Sequence, residues 1–575
     1  MSQVDVVLSE VIRNRLVAAT EDMANTLIRT AYSPLIFEVR DMCCTIMSAE
    51  GDMWAETPGV VVFSQGFPHA VRDGIKRWQG RFEPGDVLIV NDPFVTGTHI
   101  SDTNIYVPVF HGGQLIAFCG CAAHWADVGG KNPGGWCSDT TDMFQEGIRF
   151  RHQKLAAAGV KNVALWDVIA DNVRVPKIVH GDLEAQIAAC NHGAECIQEI
   201  CEKYGSETVR KSMEHVIRET DRAMRAAIEK LPNGEFRVSV QMDSDGIDPD
   251  GEFRFCLTTT IVDDRIRFSL LGSSPTARGP INLPGVNSRG ILVAAVKGLL
   301  MPYDPCNEGH SLAIDVELPP ASIVNPDSPA PTDSYGYAIE NLLELAFRSL
   351  APVLPDRCPA GGYQLTGAFL SRTQVGAGNP FIMTEPLHGG NGATQTEDGP
   401  TNQLVGNGDL PTSPVEIMET RFPILVEFLE FAPEMSGAGK FRGGKGVRKQ
   451  YRMLESDCYI ALVTENTKDP TAKGLNGGHD AKTGYFVINP GRADEQTYRR
   501  ALSSIGPFGK DTTWRVVTGG GGGWGPPAAR DPERVLHDVR NGFLEAAEAR
   551  EIYGVQVAIH NGVWRIEHLM RDSAA

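Results

Sequence analysis

The sequence has little that would direct the protein to a membrane or to nucleic acid. No apolar run approaches the ~20 residues that span a bilayer, and the opening stretch MSQVDVVLSE carries acidic residues where a secretory signal has basic ones. Positive charge is also scarce, because 53 Lys and Arg are outweighed by 72 Asp and Glu, for a net charge of −19. Such a surface disfavours phosphate backbones and anionic lipids. We therefore expect a cytoplasmic protein that binds neither nucleic acid nor membrane.

The familiar signatures of nucleotide binding and hydrolysis are missing too. The sequence has no GxSxG nucleophile elbow and no HExxH zinc motif. Two glycine-rich segments, 436–446 and 519–523, lack the GxxxxGK[ST] order of a phosphate-binding loop, and they predict tight turns that pack backbone against backbone. Glu385 and the stretch His388-Gly-Gly-Asn391 could line a pocket, although a structural turn is the simpler interpretation. The chain by itself therefore offers no recognisable ATP site.

The 12 cysteines also form no recognisable motif, because their spacing matches no zinc finger. In a reducing compartment disulfides are rare, and cysteines there are most simply small apolar residues of the core. We therefore predict that the cysteines are free and mostly buried.

What the chain does contain is enough apolar material for more than one core. At 575 residues and 42% hydrophobic composition it exceeds the size at which a single core keeps growing. Apolar residues at steps of three and four predict helices, whereas alternating residues bounded by turns predict strands. The predicted elements are helices over 6–31, 182–203, 207–230 and 288–300, strands over 43–47, 53–55 and 86–90, and a helix capped by Asp531 and closed by Gly542.

A β-hairpin is predicted at Gly112-Gly113, where a turn separates two strand-like apolar runs. If His111 faces Gln114 across that turn, the register places His124 opposite Ser101. Because side chains at the open end of a hairpin come from residues far apart in sequence, this register decides which of them meet.

A doubled His-x-x-Asp pattern lies at the open end of the hairpin. His99 precedes Asp102, and His124 precedes Asp127. Residues three apart in a straight strand point to opposite faces, so the stretch 98–102 must turn or kink. The hairpin then brings together His99, Asp102 and His124, which is the ligand set of a catalytic divalent metal. Surface polarity at a loop-to-strand junction is the alternative, but the doubled pattern and the glycines beside it favour a metal site.

The predicted secondary structure changes at Leu231-Pro-Asn-Gly234, a turn-forming sequence that separates a helical segment from alternating strands. The stretch 302–440 is rich in Pro, Gly and Asn and predicts irregular structure with short strands. We predict a multidomain α+β fold, in which an N-terminal mixed α/β region with the metal-bearing hairpin and a helical segment precedes a β-rich C-terminal half. The expected domains are 1–231, 232–440 and 441–575.

Taken together, these segments resemble the hydantoinase B/oxoprolinase family. The resemblance extends from the first helix to Tyr553-Gly-Val555, nearly the whole chain. The matching pieces are Asn91-Asp92-Pro93-Phe94, Gly97-Thr98-His99 with Asp102, Ala123 to Gly130, Pro133-Gly134, Gly181-Asp182-Leu183 with Gln186, His388 to Gly392, and Gly519 to Gly525 with Arg530-Asp531.

The resemblance implies an enzyme that acts with a larger, hydantoinase A-type subunit carrying ATP and Mg²⁺. Such pairs hydrolyse cyclic amides such as 5-oxoproline, hydantoins and lactams, or carboxylate ketones such as acetone and acetophenone. The length and motifs look closest to the smaller subunit of the caprolactam-hydrolysing members. We therefore expect one subunit of an ATP-dependent cyclic amide hydrolase, assembled most simply as an α2β2 heterotetramer. A carboxylase subunit and a non-catalytic scaffold remain the alternatives.

The resemblance also implies a divalent metal held by Asp41, His99, Asp102 and His124. Zinc is favoured by the resemblance, while manganese and iron are admissible because the set offers nitrogen and oxygen but no thiolate. Asp92 and Asp127 are then expected to be catalytic in a supporting sense, orienting a histidine or a water.

Overall fold

The structure, a computed structural model, describes residues 5–570 apart from 58, 249, 364–365, 373–379, 405–407, 409, 435 and 465–471. In this described part of the chain, no helix is both long and apolar enough to cross a membrane. Helices and strands are mixed along the chain, and strands dominate its C-terminal half. The predicted α+β class is therefore confirmed.

The N-terminal region is built on one antiparallel sheet flanked by helices. Its strands are β1 (Met42–Ser48), β2 (Met53–Glu56), β3 (Val87–Val90), β4 (Asp102–His111), β5 (Gln114–His124), β6 (Arg151–Ala157) and β7 (Val160–Lys161). Its helices are α1 (Val6–Thr30), α2 (Pro34–Phe37), α3 (Val61–Trp78), α4 (Pro93–Thr96), α5 (Val163–Asn172), α6 (Pro176–Tyr204) and α7 (Ser206–Ile228). The strand order is β2-β1-β5-β4-β3-β6-β7, so the hairpin β4–β5 lies inside the sheet.

Both faces of this sheet are covered, which explains why every residue of β1 is buried. Successive side chains of a strand point to opposite faces. Cys43 accordingly packs in the core that contains Phe67 of α3, and Cys44 packs in the core that contains Leu16 of α1. All 12 cysteines are free and nine of them are buried, as predicted.

The predicted hairpin is confirmed, but its predicted register is wrong by one residue. His111 pairs with Gln114 as expected, yet His124 pairs with Asp102 rather than with Ser101. The cause is an irregularity in the ladder between Val109 and Phe110. An extra residue on one strand shifts every pair beyond it, and such a bulge leaves little trace in the hydrophobic pattern.

The middle region combines a four-stranded sheet with two buried helices. These elements are β8 (Gly234–Met242), β9 (Phe253–Val262), β10 (Arg265–Ser269), α8 (Gly285–Leu300), β11 (Ile314–Glu317) and α9 (Tyr335–Leu350). The strand order is β11-β10-β9-β8. One hydrophobic core includes Phe67, Leu257 and Leu345, and it therefore crosses residue 231; the division into three domains stays a prediction.

Helix α9 corrects the prediction that 302–440 is irregular with short strands. Fourteen of its 16 residues are buried. The buried set includes the polar residues Glu340, Asn341 and Glu344, and the high Pro, Gly and Asn content of the stretch as a whole outweighed the helical signal within it. The described residues also contain three single-turn 3₁₀ helices: Met143–Gln145, Glu308–His310 and Pro527–Ala529.

The C-terminal half consists of short strands in several sheets. Its strands are β12 (Thr366–Arg372), β13 (Phe381–Leu387), β14 (Gly389–Gly390), β15 (Thr401–Gln403), β16 (Ile424–Phe431), β17 (Val447–Met453), β18 (Cys458–Val463), β19 (Tyr485–Ile488), β20 (Gln496–Tyr498), β21 (Leu502–Phe508), β22 (Thr513–Val517), β23 (Val555–His560) and β24 (Val563–Leu569). Its helices are α10 (Val415–Arg421), α11 (Pro532–Arg540) and α12 (Ala546–Glu551). As predicted, Asp531 caps α11 by accepting from the backbone N–H of Glu533.

The glycine-rich segments pack against one another, as the sequence predicted. A Cβ added to Gly443 would lie 1.8 Å from the carbonyl oxygen of Gly521. The backbone N–H of Gly521 donates to the carbonyl of Gly444 at 2.9 Å, and that of Gly437 donates to the carbonyl of Gly521 at 2.8 Å. Only glycine permits such close approach of backbone to backbone, so these residues build the fold.

Candidate metal centre

The open end of the β4–β5 hairpin brings His124 next to Asp102, because the two residues are direct partners across the ladder. His99 reaches the same place from a turn before β4, in which the backbone N–H of Asp102 donates to the carbonyl of His99 at 3.1 Å. This turn confirms the prediction that 98–102 departs from a straight strand. All three side chains are buried.

Three potential ligand atoms converge at this point. His99 Nε2, Asp102 Oδ1 and His124 Nδ1 form a triangle with 3.1 Å along each side. Among the residues described, this is the one fully buried group of His, Cys, Asp or Glu with such geometry. In a tetrahedral site with bonds of about 2.0 Å, ligand atoms lie about 3.3 Å apart. The triangle therefore fits a divalent metal of the zinc class, held by nitrogen and oxygen.

Unpartnered polar atoms near this end of the hairpin support the fit. His124 Nε2 and Ser101 Oγ are buried and have no hydrogen-bond partner, although buried polar atoms in folded proteins are normally paired. The glycine loop after β5 lies over them. Gly135 has a φ of +77°, and a Cβ there would lie 2.8 Å from Ser101 Oγ. The glycine at position 135 thus allows the loop to pack directly against Ser101.

The segment just before and at the start of α9 closes the other side of the site. His99 Nδ1 lies 2.9 Å from the carbonyl oxygen of Asp333, so that ring nitrogen is the donor. His99 Nε2 then faces the centre of the triangle, where a metal would take the place of its proton. The hydroxyl of Tyr335 donates to Asp102 Oδ2 at 2.9 Å. Asp333 and Tyr335 therefore hold two of the three ligand side chains in orientation.

Sequence reasoning did not find these two residues. They lie more than 200 positions from the atoms they contact, and only the fold brings them there. The available signal was the run Thr332-Asp333-Ser334 before an apolar stretch, which is typical of a helix start. Trp136, next to the predicted Pro133-Gly134 motif, was also missed. Its ring packs edge-on to His99, with 5.2 Å between ring centroids.

The charge of Asp102 dominates the electrostatics of the triangle. Burial by itself lowers the pKa of His99, but the charge of Asp102 and its hydrogen bond outweigh that effect and raise the pKa to about 9. Burial raises the pKa of Asp102, but the two histidines hold it well below its ordinary value. Burial and the charge of Asp102 raise the pKa of Tyr335 far above its usual range. Asp102 is therefore an anion, and the Tyr335 hydroxyl keeps its proton and donates a hydrogen bond to it.

Asp41 lies beside the triangle but not in it. Its backbone carbonyl accepts from the N–H of His124 at 3.1 Å, whereas its carboxylate is outside the group of ligand atoms that lie within 4.8 Å of one another. Desolvation raises the pKa of Asp41 to about 6, and His124, Asp102 and His99 all affect that pKa by their charges. The structure thus brings together three of the four expected ligands and leaves the fourth next to them.

The two aspartates expected to support the site have other contacts. The buried carboxylate of Asp127 pairs with Arg174 at 2.9 Å and accepts from the backbone N–H of Gly134 at 3.2 Å, so it shapes the glycine loop. Asp92 caps α4 and forms an ion pair with Arg151 at 3.0 Å. Neither carboxylate hydrogen-bonds to a histidine of the triangle, and their catalytic role stays a prediction.

Comparison with known proteins gives consistent results along the whole chain. The family model described as Hydantoinase B/oxoprolinase matches residues 5–527. A subunit of the putative D-/L-hydantoinase of Pseudomonas sp. (strain NS671) is 29% identical, with 97% of this chain and 96% of that protein covered. The caprolactamase beta subunit of Pseudomonas jessenii is 27% identical, with 97% of each covered. The crystal structure of ATP-dependent caprolactamase from the same organism has a TM-score of 0.89 at 25% identity, with 97% of each chain covered.

Proposed function

The chain belongs to the hydantoinase B/oxoprolinase family, and from this premise we propose that it is the metal-binding, hydrolytic subunit of an ATP-dependent enzyme that opens cyclic amides. The observation that carries the proposal is the buried triangle of His99, Asp102 and His124. Relatives named as a hydantoinase subunit and a caprolactamase subunit support the substrate class. Hydantoins, 5-oxoproline and lactams are the substrates we consider.

The chemistry of the substrate explains why a metal and ATP would be used together. An unstrained amide carbonyl is a poor electrophile, so phosphorylation of its oxygen by ATP would make the carbon susceptible to attack. A zinc-class metal held by the triangle would supply a Lewis acid and a bound water of lowered pKa. We propose zinc, with manganese or iron as alternatives, because the ligands are nitrogen and oxygen.

The residues of this chain would act by positioning and by excluding water. The carbonyl of Asp333 keeps a proton of His99 on Nδ1, and the Tyr335 hydroxyl holds Asp102 by Oδ2, the carboxylate oxygen that does not contact His99. The rings of Trp136 and Tyr335 pack edge-on to His99, at centroid distances of 5.2 and 5.0 Å. We propose Asp41 as the fourth ligand, because its charge interacts with all three residues of the triangle.

We further propose that ATP is bound by a larger, hydantoinase A-type partner in an α2β2 assembly. The relatives are named as single subunits of a hydantoinase and of a caprolactamase, which supports a partner of this kind. The sequence of this chain contains no phosphate-binding loop motif. We expect the interface to be large and of the obligate type, because neither subunit would complete the reaction alone.

The proposal is tested by reconstitution. The chain and its larger subunit, supplied with ATP and Mg²⁺, should convert hydantoin, 5-oxoproline or caprolactam to the ring-opened acid, whereas this chain alone should not. Incorporation of carbon from labelled bicarbonate into a ketone, with no lactam opened, would make the pair a carboxylase instead. An assembly that turns over after removal of all divalent metal from this chain would leave it a scaffold.

Two variants from one hairpin sharpen the test. His124→Ala should abolish turnover and remove the metal, because it deletes one corner of the triangle. His111→Ala is the matched control, since His111 lies at the turn end of the same hairpin and contacts Ser206. Asp127→Ala should be milder, with a loss of about 10–100-fold, if Asp127 supports the site indirectly. Full activity in His124→Ala would refute the assignment.

A further inference from the structure

A second group of ligand side chains lies on the outer surface, where helices α1 and α6 cross. The crossing is close because α6 has a glycine there. A Cβ added to Gly193 would lie 2.4 Å from Met23 Sδ of α1 and 3.0 Å from Cys119 Sγ of β5. The side chains that flank this contact are therefore brought together. They are Asp22 on α1 and His192 and Cys196 on α6.

The three side chains have the geometry of a metal site. His192 and Cys196 are four residues apart on one helix, so they lie one turn above each other on the same face. Cys196 Sγ is 4.0 Å from His192 Nε2, and the ligand atoms of all three residues lie within 4.8 Å of one another. For zinc bonds of about 2.0 Å to nitrogen and 2.3 Å to sulfur, tetrahedral N···S separations are about 3.5 Å. A small rotamer adjustment would close the remaining difference.

The surroundings of the group are also suited to a cation. Glu195 Oε2 lies 3.7 Å from His192 Nδ1. A carboxylate on that side favours the tautomer whose Nε2 lone pair faces Cys196. Burial raises the pKa of the Cys196 thiol, and so do the carboxylates of Asp22, Glu199 and Glu195. The cluster therefore places several carboxylates around the Cys196 thiol.

We propose that Asp22, His192 and Cys196 form a second metal site, which binds a zinc-class divalent cation and links α1 to α6. The thiolate and imidazole select soft and borderline cations, such as Zn²⁺, Co²⁺ and Cd²⁺, over Mg²⁺ or Ca²⁺. On binding, a bond forms between the metal and Cys196 Sγ, and the thiol proton leaves to solvent. Three protein ligands leave one tetrahedral position for water.

The position of the site in the fold defines its role. Helix α6 packs against β4 and β5, the hairpin that carries the buried triangle, and α1 packs against α6. A metal at the crossing would fasten the helical layer that covers this face of the sheet. The exposure of Asp22 and the half-exposed ligands on α6 make the site open to exchange with solvent, unlike the buried triangle. Binding should therefore raise the thermal stability of the chain.

Cobalt distinguishes the two sites, because only the surface site contains sulfur. The metal-depleted full chain is titrated with Co²⁺ while the near-ultraviolet thiolate-to-cobalt charge-transfer absorption is recorded. We expect this absorption to reach its plateau once both sites are filled, at no more than two equivalents per chain, and to vanish in Cys196→Ser. It should require more than about tenfold higher Co²⁺ in His192→Ala, since loss of a ligand exceeds the effect of losing a supporting group. Cys256→Ser, which changes another half-buried thiol, is the matched control and should leave the absorption unchanged.

Two outcomes would overturn the proposal. One is the absence of thiolate-to-cobalt absorption in the wild-type chain. The other is its persistence in Cys196→Ser, which would place the ion on a different cysteine. A parallel measurement adds a readout that does not depend on colour. Zn²⁺ should raise the thermal midpoint of the wild-type chain more than that of the double variant His192→Ala, Cys196→Ser. Equal shifts in both proteins would also count against the site.

Discussion

Replacement of Tyr335 by phenylalanine should weaken metal binding at the buried triangle without unfolding the chain. The change removes one hydroxyl, which donates to Asp102 Oδ2 at 2.9 Å, and keeps the ring that packs against His99. Asp102 is anionic, because the neighbouring histidines lower its pKa. The lost interaction is therefore a hydrogen bond to a charged group in a site closed to water.

The expected size of the effect follows from that description. Hydrogen bonds to charged groups contribute about 1.5–3 kcal/mol, and each 1.4 kcal/mol changes an equilibrium constant about tenfold. Since Asp102 keeps its contacts with His99 and His124, the triangle is loosened and not dismantled. We therefore expect the metal dissociation constant of Tyr335→Phe to rise by about 10–100-fold, as is usual when a group that orients a ligand is removed.

The assay is competition between the chain and a chromophoric chelator for zinc. Tyr106→Phe is the matched control, because it removes a hydroxyl from another buried tyrosine of the region. The Tyr106 hydroxyl lies 2.8 Å from His152 Nδ1, and His152 Nε2 is paired with Asp73. That network contains none of the proposed metal ligands. The control should lower thermal stability and leave the zinc dissociation constant of the triangle within about twofold of wild type.

Zinc binding by Tyr335→Phe as tight as that of wild type would show that the hydroxyl does not hold Asp102 for the metal. Equal losses of affinity in Tyr335→Phe and Tyr106→Phe would also count against this role, because the loss would then reflect general loosening of the fold. Thermal unfolding and circular dichroism of both variants establish that the comparison is made between folded proteins.

Two further predictions concern stability. Burial raises the pKa of Asp182 from 3.8 to about 6, so the folded protein binds a proton at this carboxyl more tightly than the unfolded chain does. The stability that the protonated carboxyl contributes is fully present below pH 4 and is lost as the pH rises through 6. Asp182→Asn should therefore gain stability relative to wild type over that window, by up to about 2–3 kcal/mol; a difference in unfolding free energy that stays flat with pH would contradict this. Gly443→Ala should destabilise by about 3 kcal/mol or more, because its Cβ would lie 1.8 Å from a backbone oxygen, whereas Gly298→Ala, in α8 with nothing within 4 Å, should stabilise slightly. Equal thermal midpoints for these two glycine variants would refute the packing argument.

The tertiary structure corrected the sequence-based prediction where several segments must be packed at once. The register of β4 and β5 was predicted from the turn alone, and the irregularity at Val109 moved His124 from Ser101 to Asp102. His99, Asp102 and His124 still converge, because the turn before β4 places His99 beside the other two residues. A register error of one residue was therefore harmless only because His99 does not lie in the strand.

The sequence by itself determined those features that depend on near neighbours along the chain. The long helix α1, the hairpin at Gly112-Gly113, the cap of α11 by Asp531 and the packing role of the glycine runs all follow from local periodicity, turn chemistry and the missing Cβ. The doubled His-x-x-Asp pattern was visible for the same reason, since a hairpin converts short spacings into contacts.

Only the tertiary structure decided what surrounds the ligand side chains. Asp333 and Tyr335 lie more than 200 residues from His99 and Asp102, and they come from a segment that the sequence predicted to be irregular. The start of α9 is placed by the burial of that helix among the segments around it. The crossing of α1 and α6 at Gly193 is likewise set by packing. Contacts of this kind depend on which surfaces the whole chain can bury together, and no local pattern encodes that choice.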